Sequence, residues 1–271
     1  MSGTSTRDVL AAAAAWVWVP PDADDVVAAD HRLVHYPWGT TVFAANPRRP
    51  LAEVANEAAD AARTRGHDEL TWWVAGEGTA LDDELIALGF THKDTVDVLA
   101  ADLDDVDALE ARLEVPPSVE VRPADDEPSL RIAARIGTDA FDGEEPTTEE
   151  QIRASVADAE QALRTGVWRF RQYLALVDGE PVGTAGCSLM PQGSGVVRLW
   201  GAGVLAAARG RGAYRGLLVA RCRFAAEQGA TLALVKGRTV TSAPVLRRAG
   251  FEVYGQERLY EVDVSRLYSK R

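Results

Sequence analysis

Cysteine, methionine and histidine are scarce in this 271-residue sequence, which holds two, two and four of them. Cys187 and Cys222 show no spacing typical of a disulfide framework or a zinc site, and all four histidines lie in the first hundred residues. We therefore expect no metal. The two cysteines are interpreted as reduced thiols of a cytoplasmic protein.

Long apolar runs and an excess of positive charge are also missing. No run approaches the roughly 20 apolar residues that span a bilayer, and residues 11–15 lack the basic flank of a signal peptide. The formal net charge of −12 argues against general binding to nucleic acid or to an anionic membrane. We expect neither as a partner, and we expect a monomer or a homodimer.

The remaining composition is that of a globular protein, with 46% apolar and 26% charged residues. The length suffices for two modest domains or one large one. Charge is unevenly placed: residues 1–115 hold 8 Lys/Arg against 22 Asp/Glu, whereas residues 198–271 hold 14 against 5. The basic stretch suits a polyanionic ligand, although solvated helix faces are the alternative explanation.

A turn rich in arginine and glycine lies inside that basic stretch. Residues 209–214 hold two glycines and two arginines between an apolar strand and an amphipathic helix. Glycines allow a sharp bend, and the amides that open the helix favour an anion, so the turn predicts a seat for a pyrophosphate. It is not a Walker loop, because no Gly-Lys-Ser/Thr follows, and its third glycine comes one residue late for a dinucleotide fingerprint.

The turn resembles the acetyl-CoA loop of the GNAT N-acyltransferases, Arg/Gln-x-x-Gly-x-Gly/Ala. Arg209 and Gly212 match this pattern, whereas Tyr214 stands where the family has Gly or Ala. A second segment, residues 242–251, resembles the closing helix of the family, which ends in Gly-Phe before a strand. An ordinary glycine-rich turn is the alternative for the first segment taken alone.

The resemblance implies acetyl-CoA or another acyl-CoA as cosubstrate, without a metal. It also implies a splayed gap between the strand at 196–205 and the strand at 232–235, with strand amides gripping the thioester arm. The implied cofactor-binding residues are Gly203, Val204, Leu205, Arg209, Gly210, Arg211, Gly212, Ala213, Tyr214, Arg215 and Ser242.

Two tandem GNAT-like domains are expected, so the fold class is α/β, with a central mixed sheet flanked by helices in each domain. Residues 118–271 follow the complete family order and end in two strands, and residues 102–117 are interpreted as an acidic linker with a short helix. Residues 1–101 are interpreted as a degenerate copy, because Arg48-Arg49-Pro50 stands in place of the glycine turn. An unrelated α/β cap is the alternative for this first part.

The catalytic residues implied by the family are missing from this sequence. The family often has a Glu on the first strand of the gap and a Tyr in the closing helix, but residues 198–204 hold no carboxylate and Leu246 replaces the Tyr. Substitute acid–base candidates are Asp142, Glu144, Glu145 and Tyr254, with Tyr173 as a further possible proton relay. Candidate substrate-binding residues around an acceptor pocket are Trp200, Phe141 and Tyr173. The acidic loop that contains the first three suits a cationic amine, although a solvated turn is the alternative.

Three functions stay open on these grounds. The first is an N-acyltransferase, an N-acetyltransferase in its simplest form, that acts on a primary amine of a small molecule. The second is a non-catalytic acyl-CoA-binding regulator or sensor, which the missing Glu and Tyr favour. The third is an acyltransferase that acts on a protein terminus or a lysine side chain.

Overall fold

The structure is a computed structural model that describes residues 5–43, 48–76, 78, 80–141, 145–190 and 194–268. The chain divides into two compact units. Within the described residues, the first unit holds the chain up to Val98, residues 237–243 and the chain from Tyr254 onward, and the second holds residues 99–236 and 244–253.

The elements follow one another in this order: α1 (Thr6–Ala14), β1 (Asp24–Val27), β2 (Arg32–Tyr36), β3 (Gly39–Phe43), α2 (Leu51–Thr64), β4 (Glu69–Ala75), α3 (Ala80–Leu88), β5 (Thr91–Asp102), α4 (Val106–Leu113), β6 (Val119–Pro123), α5 (Glu127–Ala140), α6 (Glu149–Thr165), β7 (Phe170–Val177), β8 (Glu180–Leu189), β9 (Val196–Val204), α7 (Ala213–Glu227), β10 (Leu232–Arg238), α8 (Ser242–Arg248), β11 (Glu252–Asp263) and α9 (Val264–Tyr268). In the described residues, no helix is both long and apolar enough to cross a membrane.

Each unit is built on a mixed sheet flanked by helices, which confirms the predicted fold class. In the first unit the strand order is β1-β2-β3-β4-β11-β5, with β3 and β4 parallel. In the second it is β10-β9-β8-β7-β6, with β9 and β10 parallel and the other neighbours antiparallel. Helices α5 and α7 pack on the second sheet, and α2 packs on the first.

The core of the first unit combines a small-residue helix with a large aromatic pair. Helix α2 buries Ala55, Ala58, Ala59 and Ala62 along one face, so it can lie close to the sheet. Trp72 on β4 is fully buried and meets Phe90 edge to face, with 5.9 Å between the ring centroids.

The last strand does not follow the predicted domain ranges. Residues 252–263 form one strand instead of two, and β11 pairs antiparallel with β4, from Glu257 opposite Ala75 to Asp263 opposite Glu69. From Tyr254 onward this strand belongs to the first unit. The physical reason is a long-range ion pair with Asp82 on α3, which apolar periodicity does not reveal.

Residues 102–117 also differ from the predicted linker. They belong to the second unit, where α4 packs against α7. Arg223 on α7 donates to Asp107 at 2.9 Å and also to Glu110, so the acidic side chains of this segment face a basic helix. Charge complementarity and helix packing therefore make the segment part of a folded unit.

A buried carboxylate fastens β11 within the first unit. Asp82 accepts two hydrogen bonds from the guanidinium of Arg258, at 2.6 and 2.8 Å, and a third from the hydroxyl of Tyr260 at 2.7 Å. Arg258 and Tyr260 lie two residues apart, so they share one face of the strand.

We predict that Asp82→Ala lowers the free energy of unfolding by about 3 kcal/mol, because it leaves the largely covered Arg258 guanidinium without its carboxylate. The matched control is Asp83→Ala, which removes the neighbouring exposed carboxylate and should change stability by less than about 0.5 kcal/mol. Chemical denaturation measures both values, and equal losses in the two variants would contradict the anchoring role of Asp82.

Two histidines of the first unit share one threonine hydroxyl. Thr40 Oγ1 lies 2.8 Å from Nδ1 of His35 and 2.8 Å from Nδ1 of His67. A hydroxyl can donate to one ring nitrogen and accept from the other, which suits two neutral imidazoles. Burial, assisted by the charges of Arg65 and His67, lowers the pKa of His35 from 6.5 to about 4.

This pKa predicts acid sensitivity. Between pH 6.5 and 4 the unfolded chain binds a proton at His35 that the folded chain does not, so stability is lost as the pH falls through that window. The loss amounts to about 3 kcal/mol. In His35→Asn, the free energy of unfolding should depend less on pH over this window, whereas replacing the exposed His92 by Asn should leave the dependence unchanged. Parallel pH profiles for the wild type and His35→Asn would refute this assignment.

Candidate functional site

The turn between β9 and α7 forms the centre of the candidate site. After β9 the chain makes a short 3-10 turn at Ala206–Ala208, and Gly212 then precedes the first residue of α7. Gly210 and Gly212 have φ angles of +78° and +94°, in the left-handed region that favours glycine. Helix α7 thus begins at Ala213, directly after the second glycine of the turn.

The first turn of α7 has no capping side chain. Helices α1, α4, α5 and α6 are each capped by a Ser, Asp or Thr side chain, namely Ser5, Asp105, Asp126 and Thr148. The N-cap of α7 is Gly212, and no acidic residue lies in its first turn. This helix therefore lacks the groups that commonly satisfy its opening amides.

The backbone amides of residues 210–215 form a row without protein acceptors. None of them donates a hydrogen bond within the described chain, whereas Ala208 and Arg209 before them and Gly216 after them do. Unpaired amides at a helix start, with the positive end of the helix dipole behind them, make a site for an anion. The geometry fits a phosphate group at this turn.

The turn is held in place by contacts with the end of α4, at Leu113, and with Pro116 just after it. A Cβ atom added to Gly212 would lie 2.4 Å from Cδ of Pro116, so only glycine fits there. One helical turn further on, Arg215 donates to the carbonyl of Leu113 at 2.9 Å. Sequence reasoning missed this support, because Pro116-Pro117 has the composition of a loop.

The side chain of Arg209 holds the turn from another side. Its guanidinium donates to the carbonyls of Val204 and Ala140, each at 3.2 Å, and so ties the end of β9 to the last turn of α5. Arg211 pairs with Asp178 on the exposed surface. Both arginines of the turn therefore contact protein groups, whereas the amides of residues 210–215 have no acceptor among the described residues.

Strand β9 separates from β10 before it reaches the turn. The parallel pairing ends at Leu199 opposite Val235, although both strands continue. On its other side β9 contains a bulge: Trp200 pairs with Gly186 and Gly203 pairs with Thr184, so β9 spans one extra residue. Gly201, inside this bulge, has a φ of +59°.

One of the predicted ligand contacts is already occupied. The amide of Leu205 donates to the carbonyl of Val182 at 2.9 Å, so this amide is not open to a thioester arm, in contrast to the sequence-based expectation. Gly203 and Val204 lie in the bulged part of β9 next to the turn. Their assignment as cofactor contacts stays a prediction.

Trp200 and Phe141 lie on one face of the second sheet. The indole of Trp200 covers Gly186, where an added Cβ would meet the ring at 2.3 Å, and its Nε1 donates to Ser188 Oγ at 2.8 Å. Phe141 follows α5 and approaches Gly203, where an added Cβ would lie 3.0 Å from the ring. The two rings are half-buried on the side of α5.

Tyr173 lies on the opposite face, which corrects the expectation of one shared pocket wall. It pairs with Ala185, the neighbour of Gly186 on β8, and neighbouring residues of a strand point to opposite faces. Its ring packs edge-on against Phe224 of α7, at 6.3 Å between centroids. Burial raises the pKa of Tyr173 far above its usual range, so its phenol stays protonated at neutral pH.

The structure describes only some of the remaining predicted residues. Asp142 and Glu144 lie outside the described residues, and Glu145 is exposed in the segment before α6. Ser242 and Tyr254 belong to the first unit. In the described residues no cluster of three or more His, Cys, Asp or Glu side chains could hold a metal ion.

A comparison with protein families identifies the second unit. Residues 138–251, which include β9, the turn and α7, match the model of the Acetyltransferase (GNAT) family. This segment is a GNAT domain. The matched family is one of acetyltransferases, so acyl transfer is the general chemistry of that family. No curated protein sequence matches the chain.

Solved structures share the fold over almost the whole chain. A GCN5-related N-acetyltransferase from Kribbella flavida is 19% identical with a TM-score of 0.66, and 96% of each chain is covered. One from Sphaerobacter thermophilus is 18% identical with a TM-score of 0.60 over 87% of this chain and 81% of its own. A tandem GNAT protein from the clavulanic acid biosynthesis pathway is 18% identical with a TM-score of 0.59, over 91% and 85%. At these identities the likeness concerns the fold, and one of these neighbours is a tandem GNAT protein.

The unpaired amides at 210–215 lead to a prediction about CoA binding by variants at Gly210. An added Cβ at this position would meet nothing within 4 Å, and Asp and Asn tolerate its left-handed backbone better than other side chains. Gly210→Asp brings a carboxylate to the row and should weaken the binding of CoA by about a hundredfold through charge repulsion. Gly210→Asn, of the same shape but neutral, should change the Kd by less than about fivefold. Calorimetry with CoA measures both, and equal affinities in the two variants would place the phosphate elsewhere.

Proposed function

We propose that this protein is an acyl-CoA-dependent N-acyltransferase, with acetyl-CoA as the simplest donor and a primary amine of a small molecule as acceptor. The observation that carries the proposal is the row of unpaired amides at residues 210–215, at the uncapped start of α7 in a GNAT domain. These amides would bind the pyrophosphate of the donor. The edge of β9 beyond Leu199, which β10 does not cover, would receive its thioester arm.

The transfer requires one nucleophilic attack and the loss of one proton. The neutral amine nitrogen attacks the acyl carbon of the thioester, the C–S bond breaks, the amide bond forms, and CoA leaves as the thiol after a proton passes from nitrogen to sulfur. Orientation and stabilisation of the developing oxyanion by strand amides supply the rate enhancement. Strand β9 carries no carboxylate between Val196 and Val204, so the proton leaves through solvent or through the acidic loop before α6.

The proposed acceptor is cationic before it loses its proton. Asp142, Glu144 and Glu145 precede α6, and their charge would attract a protonated amine. Trp200 and Phe141, half-buried on the α5 side of the sheet, offer aromatic surface next to the bulge of β9. Such surfaces favour a cation with an apolar body.

A second function is favoured by a specific observation. Leu246 is fully buried where the family often has a proton-donating tyrosine, and β9 lacks a carboxylate. These features suit an acyl-CoA-binding regulator or sensor that performs no transfer. The two functions share the binding step and differ in turnover alone.

One donor molecule per chain is expected. In the first unit α2 follows Pro50, which has no amide hydrogen, and Arg49 before it donates to Asp30 at 2.8 Å. That helix start offers fewer open amides than the start of α7. We therefore propose that the first unit binds no CoA.

The experiment combines calorimetry with an assay for released thiol. Acetyl-CoA should bind with a stoichiometry of one, and thiol release should depend on an added amine. Methyl esters of amino acids should be better acceptors than the parent amino acids, whose carboxylate the acidic loop repels. Binding without amine-dependent release would support the sensor, absence of binding by folded protein would contradict both functions, and a stoichiometry of two would refute the assignment of the first unit.

A further inference from the structure

A buried arginine on α7 donates hydrogen bonds to strand carbonyls next to the bulge of β9. Arg221, in the middle of α7, is 1% exposed. Its Nε donates to the carbonyl of Leu217 at 3.0 Å, and its Nη1 donates to the carbonyls of Gly186 at 3.2 Å and Trp200 at 3.4 Å. In the part of the chain that the structure describes, the hydrogen bonds of this guanidinium go to carbonyl oxygens and it has no carboxylate partner.

A buried charge without a counter-ion stabilises the fold less than an apolar side chain of the same size would. A buried ion without a counter-ion loses its hydration, and a methionine or leucine would fill a similar volume without that loss. Arg221 is compensated by the dipoles of the carbonyls that it contacts. The positive charge therefore acts on two defined strand residues, Gly186 and Trp200.

These two residues form the last regular pair before the bulge. Gly186 lies opposite Trp200, and the register then shifts so that Thr184 lies opposite Gly203. The carbonyl of Trp200 and the amide of Gly201 belong to one peptide group, and a hydrogen bond to the carbonyl strengthens that amide as a donor. The contact thus holds the bulge in place and polarises its first peptide group.

We infer that Arg221 is a positioning residue for acyl transfer: it holds and polarises β9 at Trp200–Gly201 so that the bulged strand binds the carbonyl oxygen of the acyl group. This inference rests on the proposed function, because it assumes that β9 receives the thioester. Under this inference, two different segments of the chain recognise the two ends of the acyl-CoA donor. The amides at 210–215 bind the phosphates, and the bulge maintained by Arg221 binds the acyl group.

The test compares two ligands, CoA and acetyl-CoA, in calorimetry with the full chain. For the wild type we expect tighter binding of acetyl-CoA. In Arg221→Met the Kd of CoA should change by less than about twofold, while the preference for acetyl-CoA should fall by about fivefold, the effect of one lost hydrogen bond. The matched control is Arg164→Met, which removes an exposed arginine of α6 and should leave the preference unchanged.

A merely structural role gives a different result. It would lower the melting temperature of Arg221→Met and leave the ratio of the two Kd values as in the wild type, which would overturn the inference. A wild-type protein that binds CoA and acetyl-CoA equally would also overturn it.

If Arg221→Met does not fold, a second variant, Arg221→Lys, provides the test, because the lysine keeps the charge but cannot reach both carbonyls. A reduced preference for acetyl-CoA in Arg221→Lys supports the inference, and a wild-type preference overturns it. Binding of neither ligand by the wild type would instead contradict the proposed function.

Discussion

The close contact between Gly212 and Pro116 is the constraint on which the candidate site depends. Gly212 has a left-handed backbone, and an added Cβ would lie 2.4 Å from the proline ring. The turn can therefore reverse direction there only with glycine, and α7 begins at Ala213 without a capping side chain. Because a glycine N-cap offers no hydroxyl or carboxylate, the opening amides of the helix have no acceptor among the described residues. Packing at one position thus determines where an anion can bind.

That constraint gives a role to a segment whose composition suggests a linker. Residues 102–117 supply Pro116 at the turn, the carbonyl that accepts from Arg215, and the carboxylates that pair with Arg223. A change in α4 would consequently shift the start of α7 without touching any ligand. The segment acts as a wall of the site, and its acidic character is explained by the basic helix that it faces.

The sequence predicts the turn, the two glycines, the closing helix at α8 and the mixed sheets, because each has a local signature in glycine, proline or apolar spacing. It does not predict that Tyr173 and Trp200 lie on opposite faces, since this depends on how β7, β8 and β9 are paired and on a bulge at Gly201. Nor does it predict the pairing of β11 with β4, which rests on contacts between Asp82 and Arg258 across 176 positions of sequence. Side chains that meet through register or long-range ion pairs leave no local pattern.

Most arginines near the turn contact protein groups, so the positive charge of this region acts mainly by shaping the turn. Arg209 and Arg215 donate to carbonyls, Arg211 pairs with a carboxylate, and Arg221 is buried under the bulge. Guanidinium groups held in this way shape the turn and add a general positive potential, and each directs at least one of its five N–H donors to a protein group. Under the proposed function, a phosphate would be recognised chiefly by the amide dipoles at 210–215, which are held by packing and would lose little entropy on binding. Loss of an arginine here would act chiefly by moving the turn, and its effect on binding would follow the displacement of those amides.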